Sequence, residues 1–494
     1  MTKRSAAINW MDNVVNKKSP TFCGAKWYNA TIWLGNGATA SCHHPPPHQI
    51  DADEVRKNPK ALHNTEYKKL VRKQMLEGIQ TKECDYCWRI ENMDSEVVSD
   101  RYYKSSIYSD EELQEAADMP WDADVNLKQL EIAFDNNCNF ACSYCNAGFS
   151  TTWAHDINKN GAYQDLTSDG WGAFAHNGNW AHPYGVKNQD NPYVEAFWKW
   201  WESDLQYSLR ELRVTGGEAT VSYDFWKLVE WYENNPHCPV ELSVNTNLGV
   251  KRRPLDRLCK LSHNIKGFNL FTSNESMGSN AEYIRDGLIW PEWQDNLRYV
   301  MDHGKFQYIH VMMTINALCL ASFCDFHEFL LDLRENNPDT RIEFSHNILR
   351  FPSFQSITTL PKQLREQQTE AMTAWLAANE YRLQPHEIDG FNRTVRYVQE
   401  IDEGHNIGNL HSDLEKRQRD FRNFYAQYDR RRGKTFSESF ANWPELVEWY
   451  EHVDGSANVN KIDNLIEGDA TEWGRPIFDE VLGEARKQKP TDDK

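Results

Sequence analysis

A chain of 494 residues is long enough to bury a large core and to hold two or three domains. Hydrophobic residues make up 40% of it and charged residues 26%, an ordinary balance for a soluble globular protein. The formal net charge of −19 argues against nonspecific binding to nucleic acid or to an anionic membrane as its main role.

No run of 18 apolar residues is present, so a transmembrane helix is not expected. The start, MTKRSAAINWMDN, lacks the apolar stretch of a secretory signal. The 11 cysteines are odd in number and fall in tight groups. That pattern suits metal ligation in a reducing compartment, and therefore the cytoplasm, better than a disulfide framework. The outlying Cys238, Cys259, Cys319 and Cys324 read as ordinary partly buried thiols.

Residues 1–100 open with the first cysteine group. Trp27 to Leu34 is aromatic and β-branched and predicts a strand, Gly35-Asn36-Gly37 turns it, and Thr39 to Cys42 returns as its hairpin partner. Cys23 and Cys42 are thereby expected near one end of the ribbon. Residues 51–80 carry apolar positions at helical spacing (Leu62, Tyr67, Leu70, Val71, Met75), and Cys84 and Cys87 follow as C-x2-C. Two hairpin thiols and a C-x2-C make a four-thiolate site, which zinc and a [4Fe–4S] cluster both accept. His43, His44 and His48 surround three prolines and read as an exposed polyproline turn rather than a metal site. Residues 101–126 are acidic and turn-rich, a linker with a short helix.

Residues 127–150 hold the second group. The run Leu127, Leu130, Ile132, Phe134 predicts a strand, and Cys138, Cys142 and Cys145 follow as C-x3-C-x2-C. Three thiolates in one loop leave a fourth metal position open to an exogenous ligand. A structural zinc knuckle would need a fourth protein ligand such as His155. Residues 150–192 have little periodicity and predict a long insertion, either a binding lid or a surface loop.

From 193 to 352 strands and helices alternate, giving six strands when 127–134 is counted. Such alternation implies a parallel α/β sheet with reactive groups at the C-terminal strand ends, and six units predict an open (β/α)6 barrel. Thr215-Gly216-Gly217-Glu218 ends the second strand. Glycines there allow close backbone approach to a ligand, and the carboxylate can pair with an ammonium group; a plain strand-to-helix turn is the alternative. Asn245 and Asn247 end the third strand, Ser273 and Glu275 the fourth, and Arg285 follows on the next helix, as a ligand residue or in a surface pair with Glu282 or Asp286. Asn316, His346 and Asn347 in the later strands face either ligand or packing. Residues 353–494 predict a mostly helical region packed on the rest, with a basic knot at Arg430, Arg431 and Arg432 that reads as a solvated face, and a disordered tail KQKPTDDK.

C-x3-C-x-aromatic-C after a first strand, followed by a strand-end GGE, resembles the radical SAM superfamily. The resemblance implies a partial barrel over 127–352 and a [4Fe–4S] cluster on Cys138, Cys142 and Cys145, beside Tyr144. Its open iron would be chelated by the amino and carboxylate groups of S-adenosylmethionine (SAM). It implies that Gly216, Gly217 and Glu218 hold the methionyl amine, that Asn245 contacts SAM, and that Ser273 and Arg285 hold the methionyl carboxylate. Cys23-x13-Gly37-x4-Cys42 resembles the start of a SPASM or twitch module, and Cys84 and Cys87 would complete one auxiliary [4Fe–4S] cluster for electron relay or bracing. Such modules usually follow the barrel, whereas here it would come first. The whole resembles twitch-containing radical SAM proteins, several of them carried by tailed phages, which would put it in a host cytoplasm. The implied activity is reductive cleavage of SAM to a 5′-deoxyadenosyl radical that abstracts hydrogen, with a flavodoxin- or ferredoxin-type electron donor and a peptide or protein substrate. Small-molecule or nucleotide modification is the second expectation. A zinc-stabilised binding protein without enzymatic activity is the rival from another class, and metal content and colour separate it.

Overall fold

The structure is a computed structural model and describes residues 3–93, 98–169, 174–175, 190–399 and 414–455. Among these residues the strands are β1 (Asn29–Trp33), β2 (Ala38–Ala40), β3 (His48–Gln49), β4 (Gln129–Ala133), β5 (Ala141–Cys142), β6 (Glu211–Thr215), β7 (Glu241–Thr246), β8 (Phe268–Ser273), β9 (Arg285–Asp286), β10 (Tyr308–Ile315) and β11 (Ile342–Ile348). Nine of them form one mostly parallel sheet in the order β11-β10-β8-β7-β6-β4-β1-β2-β3, and β5 pairs with β9 separately. The six strands expected from the alternation pattern lie side by side in chain order, all parallel, joined through helices that include Tyr223–Asn234, Arg252–Ser262, Trp290–His303 and Phe323–Glu335.

Register lines up the apolar residues. Ile132, Val214, Val244, Leu270, Ile309 and Ile342 form one row across six strands, all buried against the helices. Burying each such side chain contributes about 1.5–3 kcal/mol. The opposite face is different. Glu131 lies opposite Arg213, and Asn245, Phe271, His310 and Glu343 form a second row. A parallel sheet covered on both faces reads as continuous hydrophobic strands. Here β4, β6, β10 and β11 alternate buried with partly exposed positions, whereas β7 and β8 in the middle are mostly buried on both faces.

The N-terminal hairpin extends this sheet. β1 runs parallel to β4 in register from Asn29–Gln129 to Trp33–Ala133 and antiparallel to β2. The strand expected from Trp27 starts at Asn29, because Ala25–Tyr28 form a helical turn that buries Trp27 and Tyr28. These residues belong to a second apolar core with Phe22, Tyr67, Val71, Met75, Trp88, Tyr108 and Leu113. The segment expected as a linker supplies part of that core: its helices Asp100–Ser105 and Asp110–Asp118 pack on the module. Residues 51–80 are helical but broken into Ala52–Lys57, Pro59–Leu62 and Glu66–Leu76, with Pro59 starting the middle piece.

The aperiodic stretch expected over 150–192 begins as a helix, Thr151–Asn160, capped by Ser150; residues 170–173 and 176–189 lie outside the described residues. Beyond β11 the chain forms helices Lys362–Asn379, Pro385–Gln399, Leu414–Arg432, Phe436–Ser439 and Pro444–His452. The tail KQKPTDDK lies outside the described residues. Among the described residues no helix is long and apolar enough to cross a membrane.

Candidate active site

Cys138, Cys142 and Cys145 lie in the loop that leaves β4. The loop is built by local bonds. Cys145 N donates to Cys142 O at 2.9 Å, and the Phe140 amide points at the Cys138 sulfur at 3.4 Å. Helix Thr151–Asn160 ties down the rest: Thr152 Oγ1 donates to Cys138 O, and Trp153 Nε1 donates to Cys142 O, at 2.7 and 2.9 Å. Phe140 is buried against two glycines. A Cβ at Gly249 would stand 2.1 Å from its ring, and one at Gly287 2.7 Å. Burial pushes the Cys138 thiol up to about 12 and the Cys142 thiol up to about 11. The negative charges of a thiolate set here therefore need a cationic partner or a metal. His155 is exposed on its helix, and no group of three ligand atoms joins it to these sulfurs.

Gly216 and Gly217 brace this loop from below. Gly217 N and Glu218 N donate to the carbonyls of Asp135 and Asn137, just before Cys138. Gly216 has φ 124°, and a Cβ on Gly217 would sit 2.2 Å from Asn137 O. The glycines thus let the cysteine loop close onto the strand end. Glu218 is fully buried, and its carboxylate accepts from Thr220 N, Thr220 Oγ1, Thr246 Oγ1 and Asn247 N. Burial still pushes its carboxyl up. Asn247 also donates from Nδ2 to Asn139 at 2.8 Å, so the β7 end is joined to the cysteine loop.

Arg285 stands in β9, not on the preceding helix, and pairs in register with Cys142. It is buried, with an ion pair to Glu275 at 2.5 Å, and its Nη1 lies 3.9 Å from the Cys142 sulfur. The surface pair with Glu282 or Asp286 does not form: Asp286 binds Arg432 and Lys434 instead. Tyr144 donates to Glu275 at 3.1 Å, and its ring lies 5.6 Å from the Arg285 guanidinium. Cys142, Tyr144, Glu275 and Arg285 therefore form one cluster. Asn245 accepts from Arg213 Nε at 2.9 Å, on the polar sheet face, and Ser273 ends β8 opposite Met312. Arg213 stacks 3.9 Å over Phe271 and reaches Met312 Sδ. Sequence patterns did not single out Arg213, Phe271, His310, Met312 or Glu343, although they alternate with the apolar row. Asn316 caps the turn after β10 by accepting from Leu318 N and Cys319 N. His346 is buried on the apolar side between His327 and Thr394, and Asn347 is exposed.

The second cysteine group is also gathered by the fold. Cys23, Cys84 and Cys87 are buried and Cys42 is half-buried, on the module core. Burial and then neighbouring Cys23 push the Cys87 thiol up to about 12. Lys26 is buried beside the group in an ion pair with Glu83, and its positive charge offsets the burial effect on Cys84 and Cys42. Lys68 and Arg72 are buried nearby, bonded to Thr39, His63 and Asn64. Burial and then Arg72 and Lys26 push the Lys68 ammonium well down, whereas Lys26, kept charged against its burial by Cys84 and Glu83, is the cation that faces the group. In neither cysteine group do three sulfurs lie within 4.8 Å of one another. A single zinc ion with Zn–S of about 2.3 Å would hold its sulfurs about 3.8 Å apart.

The C-terminal helices contribute what sequence reading missed. Tyr425 Oη donates to Ser143 Oγ, Tyr428 Oη to Tyr283 O at 2.9 Å, and Gln355 Nε2 to Ser143 O at 2.9 Å. Of the basic knot expected on a solvated face, Arg430 is exposed, but the Arg431 and Arg432 side chains are packed: Arg431 stacks on Tyr163, and Arg432 on Trp153 while paired with Asp286. A helix far along the chain thereby clamps the middle of the cysteine loop.

No family model matches this sequence, and no curated protein matches it. Among solved structures the chain is similar to native anSMEcpe with bound AdoMet, at 12% identity and a TM-score of 0.33, covering 72% of this chain and 97% of that one. It is likewise similar to native anSMEcpe with bound AdoMet and Cp18Cys peptide, at 11% identity and a TM-score of 0.33 over 72% and 97% of the two chains. A third similar structure is native anSMEcpe with bound AdoMet and Kp18Cys peptide, at 12% identity and a TM-score of 0.32 over 73% and 99%.

Proposed function

We propose that this protein is a radical SAM enzyme with one auxiliary cluster. The observation that carries the reading is a three-thiol loop after β4 whose Cys142 sulfur stands 3.9 Å from the buried Arg285 of the Arg285–Glu275–Tyr144 cluster, beside a sequential parallel sheet. The donor chemistry fits: three sulfurs leave an iron corner for an outside ligand. When bound, the cluster with SAM supplies reductive cleavage of the sulfonium and, through it, hydrogen-atom abstraction from a substrate.

The protein's own residues hold and shield. Cys138, Cys142 and Cys145 would hold the cluster. Gly216 and Gly217 keep their loop closed on the strand end. Arg285, Ser273 and Asn245 are the groups for the carboxylate and ribose of SAM, and Glu218 with the Gly pair for its amine. Cys23, Cys42, Cys84 and Cys87 would hold the auxiliary cluster, with Lys26 as a buried counter-charge. The six-stranded part would act as an open barrel whose polar face, carrying Arg213, His310 and Glu343, receives the substrate. A peptide or protein suits this charged face, and the electron donor would be of flavodoxin or ferredoxin type.

Anaerobic reconstitution with iron, sulfide, SAM and dithionite tests the reading. The expected product is 5′-deoxyadenosine, lost in Cys142→Ala. Unchanged yield in that variant, or a colourless zinc protein, refutes it.

A further inference from the structure

We propose a mononuclear metal site on His43, His44 and Asp100, which adjoins the N-terminal cysteine group through Cys42 but shares no ligand with it. Among the described residues this is the set of three His, Cys, Asp or Glu ligand atoms that lie within 4.8 Å of one another. His44 Nε2 is 2.6 Å and His43 Nε2 3.4 Å from the same carboxylate atom, Asp100 Oδ2. Two imidazoles and one carboxylate converging from separate segments form a donor set suited to a divalent transition ion of the zinc type.

The surroundings hold the ligands in place. The His44 ring stacks on Tyr86, with centroids 3.9 Å apart and planes 16° apart. Pro45, Pro46 and Pro47 follow directly and restrict the backbone of the turn. Asp100 opens helix Asp100–Ser105, which Ser99 caps. His48, the third histidine of the motif, is separate: it is buried and bonded to Thr65 at 2.9 Å. His43 is well exposed, so water has access to the remaining coordination positions. A zinc ion here would staple the end of the hairpin to a helix 56 residues later in the chain, replacing the His44–Asp100 hydrogen bond by metal bonds.

The test is zinc binding by the full-length, iron-loaded protein under anaerobic conditions, with Zn2+ alone as the probe and X-ray absorption at the zinc edge as readout. Expected is one zinc per chain beyond the iron, with a nitrogen and oxygen shell at about 2.0–2.1 Å and no sulfur. His43→Ala, at an exposed position, should weaken binding at least tenfold, and His43→Ala with Asp100→Asn should remove it, while iron content stays at the wild-type level. Absence of added zinc, sulfur at about 2.3 Å in its shell, or zinc uptake unchanged in these variants overturns the site.

Discussion

Arg285 faces Cys142 across a two-residue antiparallel bridge and carries its guanidinium to 3.9 Å from the Cys142 sulfur while paired with Glu275. The cation moderates the burial that raises the Cys142 thiol, and it anchors a carboxylate that is itself buried. Arg285→Ala should therefore cost about 3–5 kcal/mol, because Glu275 keeps a buried charge without its ion partner. Urea unfolding of the metal-free protein measures this, and a loss below about 1 kcal/mol contradicts it.

Glu218 accepts four protein hydrogen bonds. A glutamine cannot accept at both terminal atoms, since its NH2 group meets donors. Glu218→Gln should lower stability by about 1.5–3 kcal/mol even without SAM. A variant as stable as the wild type, impaired only in SAM binding, would make Glu218 a ligand residue alone.

Gly217 lies against Asn137 O at a distance no Cβ tolerates. Gly217→Ala should displace the loop that carries Cys138. On the proposed function, iron per chain falls by about half after reconstitution, as one of two clusters is lost. Gly78→Ala is the comparison: its Cβ would meet nothing closer than 3.8 Å, although its φ of 77° adds some strain.

His327 is buried in the outer core and held neutral, its pKa pushed down to about 4 by burial. The unfolded chain binds this proton near pH 6.5, so the stability His327 contributes is present above 6.5 and is lost as pH falls towards 4. At pH 5 the loss is about 2 kcal/mol. Comparing urea midpoints at pH 7 and pH 5 for wild type and His327→Phe should show a shallower pH slope in the variant.

Lys26 is a buried cation beside the four-cysteine group. A positive charge favours the reduced, more negative form of a cluster. On the proposed function, Lys26→Met with Glu83 left in place should lower the midpoint potential of the auxiliary cluster. A unit charge several ångströms away, at an effective dielectric of about 20, predicts a shift on the order of 100 mV. Redox titration followed by electron paramagnetic resonance reads it, and an unmoved or raised potential counts against Lys26 as the counter-charge.

The cysteine spacings, the strand–helix alternation from 193 to 352 and the Gly pair at a strand end were legible in the sequence by itself. Each is a local pattern, written within a few residues by the periodicity of strands and helices and by metal-ligand spacing. The partners were decided only by the tertiary structure. No local signal announces that Arg285 would meet Cys142 and Glu275, that Glu218 would be saturated by Thr220, Thr246 and Asn247, or that Arg431 and Arg432 would pack on Tyr163 and Trp153. Nor does the sequence show that the N-terminal hairpin would join the main sheet through β1 and β4. Those contacts depend on register and on chain segments dozens to hundreds of residues apart, which come together when a shared core excludes water from both.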